Sequence, residues 1–170
     1  MPMDWSAPLG TIIGAVVGVG STLLADRSRW RRDNDRHKTE VCRETYTTFL
    51  IALSQSHSNM RAATFTTTPE PSERHNVLYN AIDESGIWRA RQCLSLSAPA
   101  EIITLAITAT EALVAMQNAL TETFDTRSDR YLRARTDLWT ANAAVREAMR
   151  TDLGESGPPD PEVELYRSPE

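Results

Sequence analysis

Three histidines and two cysteines are the side chains of this sequence best suited to metal or nucleophilic chemistry. They are His37, His57, His75, Cys42 and Cys93. A helical metal site is built from paired Glu-x-x-His motifs, and a zinc site needs Cys or His ligands at short spacing. The sequence contains neither pattern, so we expect no metal site. Both cysteines are expected to be buried, reduced thiols that pack as small apolar groups.

Enzyme motifs are also missing from the sequence. It has no glycine-rich phosphate loop, no His-Glu-x-x-His motif and no Gly-x-Ser-x-Gly nucleophile turn. The carboxylates Asp83, Glu84, Glu101 and Glu111 have the spacing of solvated helix faces. We therefore expect a protein that is not an enzyme and uses no cofactor.

The elements that hold these residues begin with an apolar N-terminal segment. Residues 5–25 carry no formal charge and would span roughly 31 Å as a helix, close to the hydrocarbon thickness of a bilayer. A cleaved export signal and a soluble core helix are the alternatives. Residues 1–4 lack the positive region of an export signal, and few polar residues interrupt the segment. The sequence predicts a transmembrane anchor within residues 1–26.

A basic juxtamembrane segment follows at residues 27–40. Within residues 27–38 its cationic side chains are Arg27, Arg29, Arg31, Arg32, Arg36 and Lys38, against Asp33 and Asp35. The positive-inside rule places this side in the cytoplasm and the short N-terminus outside, in a single-pass cell-membrane protein. The cations either bind anionic lipid headgroups or only set this topology. Because acids are interspersed and no base-reading aromatic set accompanies the arginines, nucleic acid is not expected as a partner.

Small residues recur within the predicted span. Gly10, Gly14 and Gly18 are spaced by four and therefore share one helix face. Small side chains allow two membrane helices to approach closely, although glycine is also common in spans that do not associate. The row predicts a helix–helix contact in the membrane and a homo-oligomer.

The remaining sequence predicts an all-α fold, in which the transmembrane helix continues into an antiparallel cytoplasmic bundle of about four helices at residues 41–154. Prolines interrupt the pattern at Pro69, Pro71 and Pro99, and Gly86 lies within the second helix, where a kink is expected. Apolar stripes mark the inner face of each helix, including Cys93 and Leu96 in the second helix.

Two charged regions complete the chain. Residues 155–170 are acidic and rich in proline, so they are predicted to be disordered. Arg127, Arg130, Arg133 and Arg135 cluster at the start of the fourth helix. This cluster is either an ordinary charged surface or a docking site for an acidic partner segment, a class that includes the chain's own tail.

Four stretches of the sequence carry a family resemblance: STLLADRSRWRR, ETYTTFLIAL, LSLSAPAEI and AVREAMRTDLG. With them the chain resembles small single-span, membrane-anchored helical proteins of high-GC Gram-positive bacteria, and its strong preference for arginine over lysine fits such a source. The resemblance implies an anchored helical domain. It implies no activity and no site residues.

We therefore expect a non-enzymatic, membrane-anchored helical scaffold or adaptor. Its partners would be membrane lipid, further copies of itself and a cytoplasmic protein. Two alternatives stay open. One is an accessory, sensor-like bundle that binds a small apolar ligand, and the other is a membrane-active oligomer.

Overall fold

The computed structural model describes the backbone of residues 6–155 and 157, and the side chains of residues 30, 33–155 and 157. Every regular element in this part of the chain is an α-helix, and no strand occurs in it. The all-α prediction is therefore confirmed. The chain divides into two compact units, residues 1–40 and residues 41–170.

The first helix, α1, extends from Ser6 to Thr66. No glycine or proline lies between Gly20 and Pro69, and these two residue types are the ones that most disfavour a helix interior. Several predicted site residues lie outside the described side chains, namely Gly10, Gly14, Gly18, Arg27, Arg29, Arg31 and Arg32. The two other predicted headgroup residues, Arg36 and Lys38, are exposed.

Two short helices replace the single second helix that the sequence predicts. α2 covers Arg74–Asp83 and α3 covers Ile87–Ser97. Gly86 separates them with a φ of 72°, in the left-handed region that glycine adopts without steric cost. The Ser85 hydroxyl, 2.6 Å from that of Ser56, joins this turn to α1.

The last two helices form a hairpin. α4 covers Ala100–Thr123 and α5 covers Asp129–Asp152. Phe124 ends α4 with a φ of 51°, and Ser128 begins α5 by accepting a hydrogen bond from the Tyr131 N–H. A side-chain oxygen at this position satisfies one of the N–H groups that the first helical turn leaves unpaired.

The core of the second unit is assembled around α4. Its apolar stripe is fully buried at Leu113, Met116 and Leu120. α1 packs against α5, because the Tyr46 hydroxyl bonds Asp152 and the His57 ring contacts Tyr131. On its other side α1 meets α2, where the Asn59 amide donates to the Ala81 carbonyl. The inner faces of α1, α2, α4 and α5 therefore meet in one hydrophobic cluster.

α4 is also the one helix, among the residues whose side chains are described, that is long and apolar enough to cross a membrane. It lies in the middle of the chain, and residues along its length are buried against neighbouring helices. A core helix satisfies the same length and composition criteria as a span. The predicted N-terminal span lies outside the residues whose side chains are described.

Candidate binding surfaces of the second unit

The histidines and cysteines do not form a common site. His37 and His75 are exposed, whereas His57 is buried. Within the described residues, no group of three or more His, Cys, Asp or Glu side chains is arranged to hold a metal ion. The prediction of two buried thiols is wrong for Cys93, which is exposed, while Cys42 is half-buried and donates to the Ser97 carbonyl at 3.5 Å.

The position of Cys93 follows from the break at Gly86. The predicted stripe assumed that one helix continued through this residue and placed Cys93 and Leu96 on its inner face. The left-handed turn restarts the helix in a different phase, so α3 buries Ile87 and Leu94 instead. Leu96 is 88% exposed as a result.

His57 is the centre of a buried polar cluster between α1 and α5. Its Nε2 atom lies 3.3 Å from the Tyr131 hydroxyl, and its ring meets the edge of Trp139 at 5.3 Å between centroids. Burial, reinforced by the positive charges of Arg61 and Arg135, lowers the pKa of His57 to about 4. The imidazole is therefore neutral near pH 7.

This cluster is better suited to packing than to catalysis. His57 is only 7% exposed, so its nitrogens are not accessible to a substrate in solution. A triad-type base is oriented by a carboxylate. In the described part of the chain His57 instead bonds a tyrosine hydroxyl, that of Tyr131. We conclude that the His57–Tyr131 contact helps to fix the packing of α1 on α5.

A second contact joins α1 to the far end of α5. The Tyr46 hydroxyl donates to Asp152 Oδ2 at 2.6 Å. Burial and this carboxylate raise the pKa of Tyr46 well above its ordinary value, so the phenol keeps its proton. The two helices are thus held together near both ends of their contact.

Five arginines lie along the junction of these two helices, which we name the α1/α5 seam: Arg43, Arg61, Arg135, Arg146 and Arg150. Arg43 and Arg61 are five helical turns apart and share a face of α1. The α5 residues share a face with Trp139, since their spacings are four, seven and four residues. Arg61 and Arg135 both act on the pKa of His57, so their charges meet at one end of the seam. Neither Arg61 nor Arg135 forms an ion pair with a described carboxylate.

The predicted arginine cluster at the start of α5 is not one surface. Arg130 pairs with Glu122 of α4, and the Arg127 N–H caps a turn by donating to Asp125 Oδ1. Arg135 instead faces the seam, beside Arg61 of α1. No local sequence pattern indicates that Arg135 and Arg61 act on the same histidine, because this depends on which face of α1 packs on α5.

The outer face of α1 is a second exposed surface of this unit. We define it by Thr47, Ile51, Ser54, Ser58 and Phe65, which follow helical spacing and are all exposed. Ile51 is 52% exposed and Phe65 is 72% exposed. No formal charge occurs in residues 45–60, which is unusual for a solvated helix face.

One hydroxyl group on this face is satisfied within the helix. The Thr47 hydroxyl donates to the Arg43 carbonyl at 2.8 Å. Such back-bonding turns the polar atom towards the helix axis. The surface therefore offers the Thr47 methyl group, the apolar side chains of Ile51 and Phe65, and the serine side chains of Ser54 and Ser58 to a partner.

No family model, no curated protein and no solved structure matches this chain. The resemblance to single-span proteins of high-GC Gram-positive bacteria stays a prediction.

Proposed function

We propose that this chain is a non-enzymatic scaffold or adaptor, anchored in the membrane by its N-terminal helix, and that its second unit binds a protein partner through the outer face of α1. The observation that carries the proposal is this face, with its exposed Ile51 and Phe65 and no charge in residues 45–60. Charge depletion around exposed apolar groups is typical of the centre of a protein interface.

The membrane part of the proposal rests on the sequence. The uncharged residues 5–25 would cross the bilayer, with the N-terminus outside and the second unit in the cytoplasm. Arg27, Arg29, Arg31, Arg32, Arg36 and Lys38 would meet anionic headgroups. Gly10, Gly14 and Gly18 would form the contact between copies.

We further propose that the second unit is an antiparallel four-layered bundle in which α2 and α3 together form one layer. The α4–α5 hairpin and the contacts of α1 with both α2 and α5 support this arrangement. It would leave one side of α1 without a neighbour inside the unit. The outer face of α1 is that side.

The test is capture of partners from native membranes by the tagged full-length chain. Ile51→Glu places a charge in the outer face of α1. As a matched control, Ile107→Glu places the same charge at an exposed position of α4. We expect a specific set of captured proteins that Ile51→Glu loses and Ile107→Glu retains. Identical capture by all three chains would exclude this face as the binding surface.

Two buried amides favour a second candidate, the ligand-binding bundle. Gln117 Nε2 and Asn142 Oδ1 are buried without a hydrogen-bond partner among the described residues. An unpaired buried amide is costly, and a ligand that pairs with it would recover that cost. A thermal-shift screen with small ligands, read on wild type and on Asn142→Leu, would test this role. A ligand that raises the melting temperature of both proteins equally does not bind through Asn142.

A further inference from the structure

The chain reverses direction where α5 ends. Gly154 has a φ of 75°, and its N–H donates to the Thr151 carbonyl at 3.0 Å. The Glu155 N–H donates to the Arg150 carbonyl, also at 3.0 Å. This pair of bonds around a left-handed glycine is the Schellman motif, which stops a helix and turns the chain aside. The residues that follow therefore leave α5 beside the helix and not along its axis.

The first residues after this turn lie on the α1/α5 seam. A carboxylate oxygen of Glu155 is 3.7 Å from Arg43 Nη2. A Cβ atom built on Gly157 would lie 3.1 Å from Arg150 Nη2, so the backbone of Gly157 passes against that guanidinium. Both arginines belong to the seam. The chain thus enters the seam at the end formed by Arg43 and Arg150.

The rest of the seam is positively charged. Beyond Arg150 come Arg146, then Trp139, then Arg135 beside Arg61. Of the α5 acids, Asp137 lies on the opposite side of the helix from this row, and Glu147 lies beside the row, about 60° from Arg150 and about 100° from Arg146. Since neither Arg61 nor Arg135 has an ion pair with a described carboxylate, an acidic segment would find unneutralised charge there.

Residues 158–170, which lie outside the described part of the chain, have the sequence PPDPEVELYRSPE. Four acids and one arginine make this segment anionic. In an extended chain Glu162 and Glu164 point to one side, and Val163 and Leu165 point to the other. Proline favours such an extended conformation and lowers the entropy lost on docking.

The length of the segment also matches the seam. Arg150 and Arg135 are about 22 Å apart along α5. An extended chain covers about 3.3 Å per residue, so Glu164 would reach the Arg135 end from Gly157. Asp160 would fall near Arg146, one turn from Arg150. Asp160 and Glu164 are therefore close to register with Arg146 and Arg135, whereas Glu162 falls beside Trp139.

We propose that residues 158–170 dock along the α1/α5 seam of their own chain. In the extended segment Asp160, Glu162 and Glu164 all face the seam, with Asp160 near Arg146 and Glu164 near Arg135 and Arg61. The segment then occupies a surface that would otherwise bind an acidic partner. It is a built-in competitor for that surface, which borders the outer face of α1, since Phe65 lies one turn from Arg61.

Arginine-specific labelling of the full chain in detergent tests this docking. Phenylglyoxal modification, followed residue by residue by mass spectrometry, gives a rate for Arg61, Arg135 and Arg146. We compare the full chain with a chain ending at residue 157. If the segment is docked about two-thirds of the time or more, truncation raises these rates about threefold or more. Arg127, exposed and away from the seam, is the internal control and keeps its rate.

In the variant E162Q/E164Q, phenylglyoxal should modify Arg61 and Arg135 at the rates found for the truncated chain. In Glu170→Gln, a single change at the end of the segment, the rates should equal those of wild type. Salt should also remove the protection, because the contact is largely electrostatic. A synthetic peptide of residues 158–170, added to the truncated chain, should restore it. Equal rates in the full and truncated chains overturn the proposal. Protection that disappears on dilution also overturns it, because the segment would then bind a neighbouring chain.

Discussion

His57 Nε2 lies 3.3 Å from the Tyr131 hydroxyl, and this contact joins the C-terminal part of α1 to the first turn of α5. Both side chains are buried, and the charges of Arg61 and Arg135 oppose a further positive charge on His57. Protonation of His57 therefore destabilises the packing of these two helices.

The second unit should lose stability in mild acid because of this histidine. The pKa of His57 falls from 6.5 to about 4 on folding. Between these pH values the unfolded chain therefore binds a proton that the folded chain does not bind. The free energy of unfolding should fall as pH drops from about 6.5 to about 4, by about 3 kcal/mol. Urea denaturation of residues 41–170 at several pH values measures this.

The matched variants are His57→Gln and His75→Gln. The first removes the buried imidazole and should flatten the stability profile between pH 4 and pH 6.5. The second removes an exposed imidazole outside the cluster and should keep the wild-type profile. If both profiles match wild type, His57 is not the group responsible.

Loss of the Tyr46 hydroxyl should weaken the contact between α1 and the end of α5. Tyr46→Phe removes the hydrogen bond to Asp152 and should lower the free energy of unfolding by about 1 kcal/mol. The control is Tyr79→Phe, at a 46% exposed position. In a double-mutant cycle with Asp152→Asn, additive effects would mean that the two side chains do not interact in solution.

Truncation in the core should be far more damaging than truncation on the surface. Leu113 is 0% exposed, so Leu113→Ala should destabilise residues 41–170 by about 2–5 kcal/mol. Ile107→Ala, on the outer side of the same helix, should cost much less. Thermal melts followed by circular dichroism give both values, and similar losses would contradict the orientation of α4.

Sequence periodicity was a reliable guide to α4 and α5 and a poor one to α3. The α4 stripe, including Leu113, Met116 and Leu120, is buried as predicted, since no residue interrupts its helix. The predictions that Cys93 and Leu96 are buried are wrong, because the left-handed conformation of Gly86 changes the helical phase. Gly86 was visible in the sequence, but the size of the phase change depends on the backbone angles at the turn.

The surfaces were harder to predict than the core. An uncharged stretch at residues 45–60 is visible in the sequence, yet its exposed side is defined only once α2 and α5 pack on α1. The α1/α5 seam combines Arg61 with Arg135, residues that no local pattern connects. Pairings between distant helices depend on packing energies summed over many contacts, and a single sequence does not display them.

Topology in the membrane is open to a direct test. The arginine asymmetry between residues 1–4 and residues 27–40 predicts that a reporter fused after residue 40 lies in the cytoplasm. A cytoplasm-dependent fluorescent reporter should be active there, and an export-dependent phosphatase should be inactive. The opposite pair of activities would reverse the orientation.

The glycine row predicts an association that depends on position. Gly14→Leu should reduce cross-linking of the full chain in membranes, because a bulky side chain separates the two backbones. Val17→Leu adds bulk off the row and should have little effect. Equal cross-linking in wild type and both variants would leave residues 5–25 with no role in self-association.

The contact between α1 and α5 also constrains how the chain is made. Tyr46 and Asp152 are separated by 106 residues, so the inner stripe of α1 leaves the ribosome long before its partner exists. At synthesis rates of about 5–20 residues per second, the roughly 60 residues between Thr66 and Asp129 take several seconds to appear. During that time Phe49, Leu53 and Met60 have no α5 to cover them. A nascent chain stalled before Asp129 would expose this stripe and become a substrate for chaperones and proteases.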